Sequence, residues 1–172
     1  MSQQLGISAA LCGMAYGIGS LGSTAVYAQS SSVIIAQKSA PQMYSTVSVD
    51  ELEAIIKSTG FVYRKESERI IRFDAGSYKM FASLESCEGN TGNQCRAVVL
   101  GTFFKYQPSL SVINEWNRTR YGSTAYIDKD NDAALESSIT LVGGITEDNF
   151  KANILVFVAR VNQFSKYIGF EQ

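Results

Sequence analysis

"SVINEWNRTRYGSTAYIDKDND", residues 111–132, is the stretch whose reading decides the fold. Leu110, Ile113, Trp116 and Asn117 share helical spacing, and Pro108 with the serines after it marks where that helix starts. "STAYID" follows as a strand and pairs with "ALESSITLVGG" as a hairpin around the turn "KDND". So dense a run of Asn, Trp and Arg before an acidic turn can be a catalytic cluster, a metal site or scaffold. Tryptophan is usually highly buried. The last turn of a helix leaves carbonyls without partners, and Asn amides can satisfy such backbone groups. Trp116 therefore reads as a core anchor, with Asn114 and Asn117 as backbone partners. Ligand contact by Asn114, Trp116, Asn117 and Arg118 is the alternative.

Asp128, Asp130 and Asp132 have the spacing that opens a calcium loop. The pattern fails downstream, where Ala133 replaces the required Gly and Ile139 replaces the closing Glu. A polar hairpin turn is expected instead.

Outward from this stretch the pattern stays regular. "SVDELEAIIKSTG" is a short amphipathic helix with a capping box at Ser48 and Glu51 and a terminator at Gly60. Strand-like segments follow from Phe61, from Arg69 to Asp74, in "SYKMFASLES" and in "CRAVVLGTFFKY", where Gly101 suggests a bulge or bend. After Gly143-Gly144, Thr146 caps a long last helix. Phe150, Ile154, Phe157, Val158, Val161, Phe164 and Ile168 form its apolar stripe, and Leu155 and Val156 widen it. The order α-β-β-β-β-α-β-β-α predicts an α+β domain, an antiparallel sheet with helices packed on it.

The chain has 172 residues, 45% of them hydrophobic, which suits one packed domain. Net charge is −1 and the basic residues are scattered, so no nucleic-acid partner is expected. Histidine is absent, which removes the commonest general base and metal ligand. No enzyme activity and no cofactor are expected. A carboxylate enzyme using Asp74, Asp128 or Glu136 is the rival, and an orphan structural domain of the envelope is a third reading.

Residues 1–36 carry no charged side chain. Leu5 to Ile18 is a mostly apolar run, and Val26 and Ala28 are spaced like the small residues of a signal-peptidase site. We expect a signal peptide over 1–28, a flexible lead-in over 29–46 and a domain over 47–172. The mature chain would be periplasmic or secreted and would have no stable membrane span. The n-region "MSQQ" lacks the usual Lys or Arg, so an N-terminal tail or light anchor is the alternative. Cys87 and Cys95 flank the polar spacer "EGNTGNQ". A hairpin loop of that kind brings two cysteines within disulfide reach, and an oxidising compartment keeps the bond. A metal site would want further ligands at closer spacing.

These residues together resemble the YbjN-domain family of bacterial proteins. The likeness lies in Asn114, Trp116 and Asn117 on the helix, the Tyr121-Gly122 turn, the strand ending at Asp128, and Leu135-Glu136 with Gly143-Gly144. It covers 48–168 in element order and 87–145 in detail. Cys87 and Cys95 before a strand resemble an exported subgroup. The resemblance implies a fold like that of type III secretion chaperones, which often dimerise and bind protein segments. It implies a sensory-transduction role and no established reaction. The expectation is therefore a chaperone-like module that binds an unknown protein or peptide through the sheet face or the last helix, with a homodimer through that helix as a further possibility.

Overall fold

Local chemistry starts and stops each helix. In the computed structural model, which describes residues 41–89 and 91–170, Ser48 caps α1 (Val49–Ser58). Its hydroxyl accepts from the Glu51 amide at 3.3 Å, and the Glu51 carboxylate accepts from the Ser48 amide at 2.8 Å. This is the capping box expected from the sequence. Gly60, at φ 82°, ends the helix in the left-handed conformation that glycine adopts without strain.

A short strand, β1 (Met43–Tyr44), precedes α1. The meander β2 (Val62–Lys65), β3 (Ile70–Ala75), β4 (Tyr78–Glu85) and β5 (Ala97–Phe104) follows it. Next come α2 (Leu110–Thr119), β6 (Thr124–Ile127), β7 (Ala133–Thr140), β8 (Ile145–Thr146) and α3 (Glu147–Ile168). The class and order are α+β as expected, with β1 and β8 added as a separate two-stranded antiparallel pair. The expected lead-in therefore enters the fold at its end: Tyr44 is buried edge-to-face on Phe150. The expected signal peptide and residues 29–40 of the expected lead-in lie outside the described residues.

The six-stranded sheet is antiparallel throughout, in the order β2-β3-β4-β5-β7-β6. Strand alternation sends Ile71, Phe73, Met80, Ala82, Leu84, Val98, Leu100 and Phe104 to one face. These rows join α1, Ile113 and Trp116 of α2, and Phe150, Ile154, Phe157, Val161 and Phe164 of α3 in one core. Leu110 departs from the expected apolar face of α2, lying 66% exposed on the helix's first turn.

Gly101 is neither a bulge nor a bend. It sits in regular register between Phe81 and Glu136, and the Phe81 ring occupies the space a Cβ would need. Glycine here admits a cross-strand aromatic ring.

Candidate functional site: the Asn117 scaffold and the open sheet face

Asn117 stands in the last turn of α2 and reaches β6. Its amide nitrogen donates to the Ala125 carbonyl at 2.9 Å, and its amide oxygen accepts from the Ala125 N–H at 2.8 Å. The side chain thus completes the edge of β6 as a neighbouring strand would. Trp116, one residue earlier, is 1% exposed. It packs edge-to-face on Phe164 at 4.9 Å and tilts against Tyr167 at 5.4 Å, with the Arg120 guanidinium 5.8 Å from its ring. Its indole N–H has no partner among the described residues.

The other motif residues separate by role. Asn114 is exposed and Tyr121 is 85% exposed, so neither belongs to the core. Gly122 turns the chain at φ 77°. Asp128 organises the β6–β7 turn, one carboxylate oxygen accepting from the amides of Asp130 and Asp132, each at 2.9 Å. That is a turn built by an Asp side chain. Among the described residues no group of acidic or sulfur ligands could hold a metal ion. Gly143 and Gly144, at φ 89° and 85°, carry the chain from β7 into β8.

Cys87 and Cys95 are joined, with an S–S distance of 2.10 Å. Both lie just beyond the strands they were expected to join, since β4 ends at Glu85 and β5 begins at Ala97. Cys95 exchanges both backbone hydrogen bonds with Val47, at 2.9 and 3.0 Å. The staple therefore also fixes the entry to α1.

The outer sheet face carries no helix among the described residues. Phe81 and Phe103 stack there with centroids 5.6 Å apart, and Arg72 lies 5.4 Å from the Phe81 ring. Arg72 is itself paired with Glu66 at 2.5 and 3.0 Å, and this ion pair holds the Glu66 carboxyl below its ordinary value. Farther along the same face Tyr126 donates to Glu136 at 2.7 Å. Burial, followed by that carboxylate, pushes the Tyr126 phenol well above its ordinary value. The sheet face was expected as one of two binding surfaces, but no residue on it was named. The available signal was the phase of Phe81, which alternates against Met80, Ala82 and Leu84 and so points away from the core.

The carboxylates named for the rival reading do not meet in a cavity. The cleft beside Asp74 is lined by β2 and β3 residues, and the one beside Glu136 by Ser123, Thr124, Ser138 and Val156 among others; neither holds a second carboxylate. No helix among the described residues is long and apolar enough to cross a membrane.

These features define a disulfide-stapled α+β domain with its described helices on one side of the sheet and a side-chain amide closing one sheet edge. The chain belongs to the YbjN family, described as "Putative bacterial sensory transduction regulator", whose profile matches residues 48–170. Among solved structures it is similar to YbjN from E. coli, titled "a putative transcription regulator", at 14% identity and a TM-score of 0.44. That likeness covers 72% of this chain and 89% of that one. No curated protein matches the chain significantly.

Proposed function

We propose that the chain is a non-catalytic regulatory module that works outside the cytoplasm and binds a segment of another protein. The observation that carries this reading is the outer face of the sheet, bare among the described residues, with the stacked Phe81–Phe103 pair beside Arg72. Aromatic side chains with a neighbouring Arg are enriched where proteins meet, because they bury large area at low entropic cost. The Cys87–Cys95 bond supports the extracytoplasmic setting, since structural disulfides persist in oxidising compartments. Cleavage after Ala28 is part of the proposal. N-terminal sequencing of chain recovered from an envelope fraction should begin at Gln29, and recovery of intact Met1 in the cytosol would sink it.

The binding reading is tested by co-purification from the native envelope, comparing wild type with Phe103→Ser. Phe103 is 48% exposed, so the substitution spares the core. A partner identified by mass spectrometry with wild type and lost with the variant is the expected result. A partner retained equally by both would remove the open face from the function.

A further inference from the structure

We infer that a step in the sheet edge beside β6 is a docking slot for a short extended peptide, which adds a strand against residues 137–140, sets an apolar side chain on Val156 and places a basic one beside Glu136. This rests on the binding-module reading and specifies where the partner's backbone goes.

The step follows from strand lengths. β6 has 4 residues and β7 has 8, and β6 pairs only with the stretch from Ala133 to Glu136. Which backbone groups are left free follows from Asn117. Because Ala125 gives both its N–H and its C=O to that amide, it faces away from β7, and so its partner Leu135 bonds toward β5. In an antiparallel ladder the direction alternates with each residue. Glu136 therefore bonds toward β6, and Ser138 and Thr140 point the same way, past the end of β6. Neither has a backbone partner on that side among the described residues. Two donor–acceptor sets two residues apart are the complement of an extended chain, the recognition used in strand addition.

The slot has walls. A cleft of about 510 Å³ lies there, bounded by Ser123 and Thr124 at the start of β6, by Glu136 and Ser138 of β7, and by Asn153 and Val156 of α3. The Ser123 hydroxyl is buried without a partner among the described residues. Strand alternation fixes what the occupant presents. A residue opposite Ser137 points to the helix side, where Val156 is 56% exposed. The next residue, opposite Ser138, points to the outer face. There Glu136 accepts from Tyr126 through one oxygen only and makes no ion pair among the described residues, so a Lys or Arg complements it. The opposite sheet edge, β2, carries Arg64 and Lys65, charges of the kind that guard an edge against pairing. Residues 137–140 carry none.

A second copy of β7 fits less well than a peptide. Paired antiparallel with its twin, it would drive the chain beyond Thr140 into the Gly122–Thr124 wall. The slot admits a few residues of free strand.

The test is selection of a phage-displayed library of random linear peptides on the oxidised full chain. Enriched peptides should alternate apolar and basic positions and slow amide exchange at Ser138 and Thr140. Ser138→Pro removes one edge N–H that no described strand of this chain uses, so it should keep the native circular dichroism while weakening those peptides at least about tenfold. Val156→Asp, on the exposed face of α3, should weaken them similarly and is independent of backbone effects. Peptides that bind both variants like wild type would overturn the slot and leave the module reading standing, with loss on Phe103→Ser placing the contact on the open face. A library that yields no binder would remove both. A concentration-dependent dimer abolished by Ser138→Pro, with no peptide enriched, would overturn the peptide in favour of a second copy.

Discussion

Asn117 and Ala125 are joined by two hydrogen bonds of 2.9 and 2.8 Å, so that one side chain of α2 serves as the missing neighbour of an edge strand. Asn117→Ala should cost about 1–3 kcal/mol, the penalty of leaving backbone groups poorly satisfied. Asn117→Asp keeps the acceptor, loses the donor and sets a carboxylate against the Ala125 carbonyl, so it should not rescue. Urea unfolding of the three chains checks the order.

Trp116→Ala should cost about 3–5 kcal/mol, because it empties the space against Phe164 and Tyr167. The indole N–H has no partner among the described residues, so Trp116→Phe strands no polar group and should cost much less. A Trp116→Ala chain with unchanged melting temperature would show that the residue is not an anchor.

Peptide mapping without reductant should recover Cys87 and Cys95 in one linked pair. Replacing both by Ser should lower stability by about 2–3 kcal/mol in the chain-entropy picture of a short loop. Two free thiols in chain taken from the envelope would contradict the pairing there.

The Tyr126 phenol titrates above its ordinary value of 10.0 in the folded chain, through burial first and Glu136 second. A raised folded value means that the unfolded chain loses this proton first as pH rises. The contribution is therefore complete below pH 10.0 and is lost on the way up to the folded value. Tyr126→Phe should be less stable than wild type near neutrality and should show a shallower decline above pH 10.0. Denaturation midpoints across the alkaline range report both effects. Parallel slopes would exclude the linkage.

Helix ends were legible because they are written locally. Ser48 with Glu51, and Thr146 before its acidic first turn, carry their own signals within one turn of chain. The strand segments were legible for the same reason, from local residue types and turns. The placement of β7 between β5 and β6 was not, because it depends on pairing across α2. The β1–β8 pair was missed since two residues show no period. Asn117 was legible as a backbone partner in kind, while Ala125 as its target required the fold. Gly101 was misread because a glycine in a strand signals close approach as well as a bulge, and only Phe81 decides between them. The aromatic pair on the open face was hidden for a related reason: Phe81 and Phe103 belong to different strands, and their stacking is visible only once β4 and β5 are in register.

The pairing of β1 with β8 has a consequence for how the chain is made. Tyr44 lies opposite Ile145, roughly a hundred residues later, and such distant contacts carry a large closure cost and form late. A ribosome delivers Tyr44 about a hundred residues before its partner Ile145. The Tyr44 ring therefore lacks its Phe150 neighbour until residues 145–150 have emerged. The β1–β8 pair therefore closes only after every strand of the six-stranded sheet has been delivered, so the sheet can form before its entry strand is tied down.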